Sequence, residues 1–343
     1  LTPCFSCSTL SFYQLYFSNF VPLSKTKKEK PIMTKAIKGI HHITAIAGDA
    51  KRNYDFYTRI LGLRLVKKTV NFDDPETYHF YYGDEVGTPG TILTFFPWGG
   101  ISAGRRGTRQ VTEIGYAVPE GSLDFWIERF KENNVTYNNV AEKFGEQYLT
   151  FLDPDGLKFE LTVPQTADPR KPWVTDEVND AHALQGFHHI TITANKIEPT
   201  VKVLTDIFGY ELSAAEVNRH RFINHSIDTA NLVDLVEAPG EGAGHVAGGS
   251  VHHVAFRVSD DQILMEYREK VLAAGLQITE KIDRNYFYSL YFREPGGVLF
   301  EIATDNPGFS VDEAVADLGN GLKLPPQYEP YRDHLEKVLP EIN

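Results

Sequence analysis

Apolar and polar positions alternate along four stretches of the chain that begin near Gly39, Val111, Gly186 and Val251, the pattern of strands with one buried face. Each stretch runs into a segment whose apolar residues recur at helical spacing, which predicts amphipathic helices over 52–60, 123–133, 198–208 and 261–274. Gly62, Asn134, Gly209 and Gly275 follow those segments closely, and Gly and Asn stop helices because they enter the left-handed region at little cost. Further β-rich runs, including 78–82, 91–96, 148–152, 157–163 and 288–292, are punctuated by turns such as Asp153-Pro154-Asp155-Gly156 and Glu294-Pro295-Gly296-Gly297. The repeating unit reads βαβββ, four times over.

The modules are also related by sequence. Gly39-Ile40-His41-His42-Ile43-Thr44 returns as Gly186-Phe187-His188-His189-Ile190-Thr191, and the segment ending in Phe159-Glu160 returns in the one ending in Phe300-Glu301. Such self-similarity marks a duplicated pair of halves. One βαβββ unit leaves a sheet face uncovered, so units are expected to pair and bend their sheets into cups with an interior. The expected fold is α+β, with four βαβββ modules in two paired, cup-like domains. In chain order the first half spans 33–163 and a linker rich in Pro, Asp and Lys spans 164–185. The second half spans 186–305, and 306–343 is a tail with one helix near 331–338.

Lys and Arg total 34 against 46 Asp and Glu, a formal charge of −12 over 343 residues. That balance disfavours nucleic acid or an acidic membrane as a partner. The cysteines, Cys4 and Cys7, lie at the start of the chain, so the rest has no thiol for a disulfide, a zinc–thiolate site or a nucleophile. Any metal must be held by His and carboxylate. The first methionine is Met33, and the basic cluster Lys25-Thr26-Lys27-Lys28-Glu29-Lys30 follows an apolar run, the reverse of a secretory signal. Residues 1–32 are expected to be a non-native or disordered leader ahead of a start at Met33, and the body to be cytoplasmic.

His42 and His253 each stand seven residues before an Asp, at Asp49 and Asp260; His189 holds the same place in module three and Glu113 in module two. The equivalent positions of the last strands are read as Phe95, Glu160, Asp234 and Glu301. Strand side chains alternate, so one imidazole of each tandem pair faces the cup and the other turns away. Two inward His and one Glu form the set that holds non-haem Fe(II) on one face with positions left open, although a zinc hydrolase could use the same atoms. Paired neighbours would gather His189, His253, Glu301 and Asp234 in modules three and four. Pairing of the outer modules would instead gather His42, His253 and Glu301, with Phe95 in the fourth place.

The tandem βαβββ modules, the His-His-Ile-Thr strands and the terminal Phe-Glu strands resemble the vicinal oxygen chelate superfamily, which includes glyoxalase I, fosfomycin resistance proteins and extradiol dioxygenases. His41-His42-Ile43-Thr44, Val66-Lys67-Lys68-Thr69, Gly87-Thr88-Pro89-Gly90-Thr91, Val251-His252-His253 and Phe300-Glu301-Ile302-Ala303-Thr304-Asp305 resemble, more narrowly, its four-module hydroquinone-type ring-cleaving dioxygenases. The resemblance implies outer pairing, with Fe(2+) held by His42, His253 and Glu301. An aromatic substrate of hydroquinone or catechol type and O2 follow from it, and it leaves room for a homo-oligomer. It also assigns Thr44, His41, His252, Arg284 and Tyr291 to the substrate pocket, although strict alternation would turn His41 and His252 towards supporting hydrogen bonds instead. The inner modules would then collect Glu113, Glu160, His189 and Asp234, either as a second, oxygen-rich metal site or as a duplicate that only supports the fold. Two other functions compete. One is a glyoxalase-like isomerase or thiol transferase whose metal does no redox chemistry and usually has four protein ligands. The other is a non-catalytic protein that sequesters quinones or other aromatic compounds.

Overall fold

All four modules realise the βαβββ order in a computed structural model that describes residues 36–342. Module one comprises β1 (Ile40–Ala47), α1 (Ala50–Asp55), β2 (Arg64–Val70), β3 (Tyr78–Gly83) and β4 (Ile92–Pro97). Module two follows with β5 (Gln110–Ala117), α2 (Leu123–Glu132), β6 (Ala141–Lys143), β7 (Glu146–Leu152) and β8 (Lys158–Thr162). Module three has β9 (Gly186–Ala194), α3 (Glu198–Lys202), β10 (Glu211–Glu216), β11 (Arg219–Ile223) and β12 (Leu232–Glu237). Module four has β13 (Ser250–Val258), α4 (Asp261–Ala273), β14 (Ile282–Asp283), β15 (Phe287–Arg293) and β16 (Leu299–Pro307). The expected leader at 1–32 and the start at Met33 lie outside the described residues.

Two eight-stranded sheets result, in the orders β14-β15-β16-β13-β1-β4-β3-β2 and β10-β11-β12-β9-β5-β8-β7-β6. The first, the outer cup, joins modules one and four through antiparallel β1 and β13; the inner cup joins modules two and three through β5 and β9. The halves 33–163 and 186–305 are therefore units of sequence, each giving one module to each sheet. Within a half, the modules are clasped by a buried carboxylate at the last turn. Asp153 accepts the Tyr57 hydroxyl at 2.9 Å, and Glu294 accepts that of Thr200 at 2.9 Å.

The helices end where local chemistry stops them. α1 and α3 each run on through a π-helical turn, Phe56–Ile60 and Val203–Ile207, and finish at Gly62 and Gly209 with φ of 70° and 75°. Asp49 and Asp260, the residues seven past each outer His, are N-caps whose carboxylates accept from the Arg52 and Ile263 amides. On the buried face of α2, Leu123, Trp126 and Phe130 pack inward, and Phe130 meets Phe151 at a centroid distance of 4.6 Å. The segment 164–185 carries no helix or strand, yet it buries Val178, Ala183 and Leu184. The tail forms α5 (Arg332–Val338), and before it anchors on module one: the fully buried Lys67 ammonium reaches Asp312 at 2.6 Å and Glu313 at 2.5 Å. Among the described residues no helix is long and apolar enough to cross a membrane.

Candidate metal centre and cavity

Strand alternation turns His42 on β1 and His253 on β13 to the same face of the outer sheet, and the parallel register of β13 with β16 brings Glu301 beside them. His42 Nε2 lies 3.2 Å and His253 Nε2 2.9 Å from Glu301 Oε2, and the two nitrogens are 3.4 Å apart. All three side chains are buried, and among the described residues they are the one group of three metal-ligating side chains whose ligand atoms all lie within 4.8 Å of one another. Glu301 Oε1 accepts the Ser289 hydroxyl, whereas Oε2 is buried and has no hydrogen bond despite the two nitrogens next to it. A buried carboxylate oxygen without a partner costs free energy, and a cation would remove that cost.

Protonation inside the cluster points the same way. Burial, reinforced by His42, keeps the His41 imidazole far below its usual pKa and hence neutral. Its Nε2 is 3.0 Å from the Thr304 carbonyl, which can only accept, so the His41 proton sits there. His41 Nδ1 must then accept from His42 Nδ1 at 2.9 Å, and the electron pair of a neutral His42 is on Nε2, facing Glu301 and His253. His253 Nδ1 meets His252 Nδ1 at 2.7 Å, the counterpart of the His41–His42 contact. Burial would raise Glu301; positive charge on its imidazole neighbours, His42 first and then His253, holds it well below the usual carboxylate range, and a metal ion supplies that charge when both rings are neutral. Two imidazole nitrogens and one carboxylate oxygen thus converge, and a divalent metal fits this donor set.

The cluster opens on a cavity of about 520 Å³ lined by His42, His253, Thr44, His252, Arg284 and Tyr291, with aromatic walls from Phe72, Phe96, Trp98 and Phe287. The size suits a small aromatic ligand. Arg284 Nε donates to the Tyr291 hydroxyl at 3.3 Å, and burial, then the Glu301 charge, pushes the Tyr291 phenol up. Of the residues assigned by resemblance to the pocket, His41 is the exception. It lies behind His42, bonded to that ring and to Thr304, because its place on β1 turns it away from the cavity. His252 does line the cavity even though it neighbours the inward His253.

The fourth position is also corrected. The β1–β4 register pairs Thr44 with Thr94, just as β9–β12 pairs Thr191 with Asp234, so the counterpart of Asp234 is Thr94 and not Phe95. Phe95 points to the opposite face, against Tyr57. Sequence reasoning also passed over His79 and Tyr81, which line the cavity from β3. Their strand reads as an aromatic run, and the only signal that could have singled them out was the polar His among its tyrosines.

The inner residues Glu113, Glu160, His189 and Asp234 do converge, but they meet cations of the protein itself. Lys143 Nζ lies 2.5 Å from Glu160 and 3.4 Å from His189 Nε2. Glu113 meets Lys158 and Arg219, and Asp234 meets Arg219 and Arg221. Burial alone would raise Glu113, yet Arg219, followed by Lys158, brings it to about 2.

The profile of the Glyoxalase/Bleomycin resistance protein/Dioxygenase superfamily matches residues 39–161 and 186–302, and the chain belongs to that superfamily. Among relatives, it is 45% identical over 307 residues to MhqO of Bacillus subtilis (strain 168), provisionally named a ring-cleaving dioxygenase, covering 90% of this chain and 97% of that one. It is 35% identical over 315 residues to the chlorohydroquinone/hydroquinone 1,2-dioxygenase of Sphingobium indicum, again with 90% and 97% coverage. A crystal structure of a provisionally named dioxygenase from Bacillus subtilis superposes with a TM-score of 0.86 at 44% identity, over 90% of this chain and 99% of that one.

Proposed function

We propose that this protein is a ring-cleaving dioxygenase that uses ferrous iron and O2 to open hydroquinone-type aromatics beside a hydroxylated carbon. The observation that carries the reading is the orphaned Glu301 Oε2, facing two imidazole nitrogens at the end of an aromatic cavity. Relatives named as ring-cleaving and hydroquinone dioxygenases, matched over almost their whole length, support the reaction class. His42, His253 and Glu301 would hold the iron, which supplies redox chemistry and open positions for substrate and oxygen.

The chain's own residues then do the following. Phe72, Phe96, Trp98 and Phe287 enclose an aromatic ring and exclude water from it. Arg284 donates to the Tyr291 oxygen, which leaves the phenol proton of Tyr291 free for a substrate oxygen and places a positive charge where a phenolate would form. His41 and His252 fix the orientations of the two ligand imidazoles, and His252 also faces the cavity, where it can exchange a proton with the ring hydroxyl. Thr94 in place of a fourth carboxylate distinguishes this site from a four-ligand isomerase centre.

The test is anaerobic loading with Fe(II), followed by hydroquinone and O2. Oxygen uptake that depends on hydroquinone, with both oxygen atoms in the opened product, is expected. Turnover with Zn(II) or Ni(II) and no oxygen consumption would overturn the reading in favour of an isomerase or transferase.

A further inference from the structure

Along the cavity wall, four side chains from three neighbouring strands form one continuous hydrogen-bonded chain, of which Thr94 alone is set back from the cavity. Tyr81 OH is 3.0 Å from His79 Nδ1, His79 Nε2 is 2.9 Å from Thr94 Oγ1, and Thr94 Oγ1 donates to Thr44 Oγ1 at 2.8 Å. The direction of each link follows from the last. Thr94 has a single hydroxyl proton and spends it on Thr44, so the bond from His79 must be a donation by Nε2–H. Burial, then the His42 and His253 rings, keeps His79 far below its ordinary pKa and neutral, so its Nδ1 is a bare acceptor that takes the Tyr81 proton. Thr44 Oγ1, already accepting from Thr94, keeps its own proton for the cavity it lines, two residues along β1 from His42.

We propose that His79 and Thr94 are positioning residues that polarise Thr44 into a fixed hydrogen-bond donor to the ligand's oxygen in the cavity, with Tyr81 locking the His79 tautomer. This rests on the functional reading above and deepens it. In the inner cup the same positions carry a different chemistry. Arg221, Arg219 and Asp234 stand where the outer cup has Tyr81, His79 and Thr94, since Arg221 pairs with Asp234 as Tyr81 pairs with Thr94. There the chain is replaced by ion pairs and no donor is aimed at a ligand.

Two measurements on the full chain test this. The first is anaerobic binding of methylhydroquinone to the iron-loaded protein, read from the fluorescence of cavity-lining Trp98. Thr94→Val should weaken binding about tenfold, the value of one well-placed neutral hydrogen bond, while Thr94→Ser stays within about twofold because it keeps the hydroxyl. Thr44→Val should weaken it similarly, and the double variant no further, because Thr94 acts through Thr44. Additive losses, or a Thr94→Val protein that binds like wild type, would overturn the proposal. The second is the 15N NMR signature of His79 in the zinc-loaded chain, which needs no substrate and survives failure of the functional reading. A neutral ring protonated on Nε2 is expected in wild type; a proton on Nδ1 refutes the chain even if the enzyme turns over hydroquinones.

Discussion

The two cups share one backbone plan and differ in what fills the centre. Position by position, His42, His253 and Glu301 of the outer cup correspond to His189, Glu113 and Glu160 of the inner one, as the shared registers of the paired strands require. In both, the first His of the tandem pair orients the second: His41 is held by a carbonyl, and His188 by Glu146 at 3.2 Å. In both, the electron pair of the second His faces inward. At the inner centre that pair meets the Lys143 ammonium, and Glu160 is satisfied at both oxygens by Thr162 and Lys143. At the outer centre the position of Lys143 is taken by Arg284, which turns to Tyr291 instead, and Glu301 Oε2 is left without a partner. One protein thus solves the same electrostatic problem twice, once with its own cations and once in a way that calls for an added one. On the proposed reading, the inner cup is a supporting duplicate and the outer cup carries the chemistry.

The contrast is most strongly tested by matched substitutions. Replacing His42 or Glu301 by Ala should abolish metal retention and lower turnover by about a hundredfold or more, with metal analysis and oxygen uptake as readouts. His189→Ala should leave the iron content at its wild-type value. Loss of iron from the inner variant instead would move the centre to the other cup.

Removing an inner charge should damage stability rather than chemistry. Asp234→Asn removes the carboxylate shared by Arg221 and Arg219, which keep Glu146 and Glu113 as partners, so the expected cost lies below the ~3–5 kcal/mol of a wholly unpaired buried charge. Chemical denaturation would read that loss, with the iron content of the folded fraction unchanged. An unaltered denaturation midpoint would show that the inner network holds nothing together.

A smaller effect concerns the clasp that ties inner module two to outer module one. Burial raises Asp153 from 3.8 to about 7, so the folded chain keeps a proton there that the unfolded chain releases. Stability from this group is fully present below its ordinary pKa and falls as pH rises towards 7, by about 2–4 kcal/mol. Asp153→Asn should flatten that fall in denaturation curves recorded between pH 4 and about 8. A slope unchanged in the variant would assign the pH dependence to other groups.

The smallest contrast lies in the helix caps. The outer-cup helices α1 and α4 are capped by Asp49 and Asp260, while α2 and α3 have no side-chain cap bond. Asp49→Ala and Asp260→Ala should each cost about 1 kcal/mol, measured as a lowered midpoint of thermal unfolding, and Ser122→Ala much less.

Much of this could be read from the chain alone, and the failures have one cause. The four modules and the placing of His42, His253 and Glu301 on strands with one inward face follow from local periodicity and from duplication, which the sequence displays directly. Register between strands distant in sequence is not local. A slip by one residue exchanges the faces of a strand, and that is how Phe95 was read where Thr94 stands. The inner cluster was legible as carboxylates and a His, but Lys143, Arg219 and Arg221 lie on other strands, and only folding shows that they fill its centre. The same holds for Lys67, whose partners Asp312 and Glu313 sit in a tail that reads as irregular.

The central claim is that the outer cup alone holds the catalytic iron. Its most direct measurement is the iron content of wild type, Glu301→Ala and Glu160→Ala after anaerobic ferrous reconstitution, each followed by a hydroquinone-dependent oxygen trace. One iron per chain and oxygen uptake in wild type, both lost in Glu301→Ala and the iron retained in any folded Glu160→Ala, is the predicted result. Iron that survives the loss of Glu301, or a wild-type protein that binds none and consumes no oxygen, would contradict it.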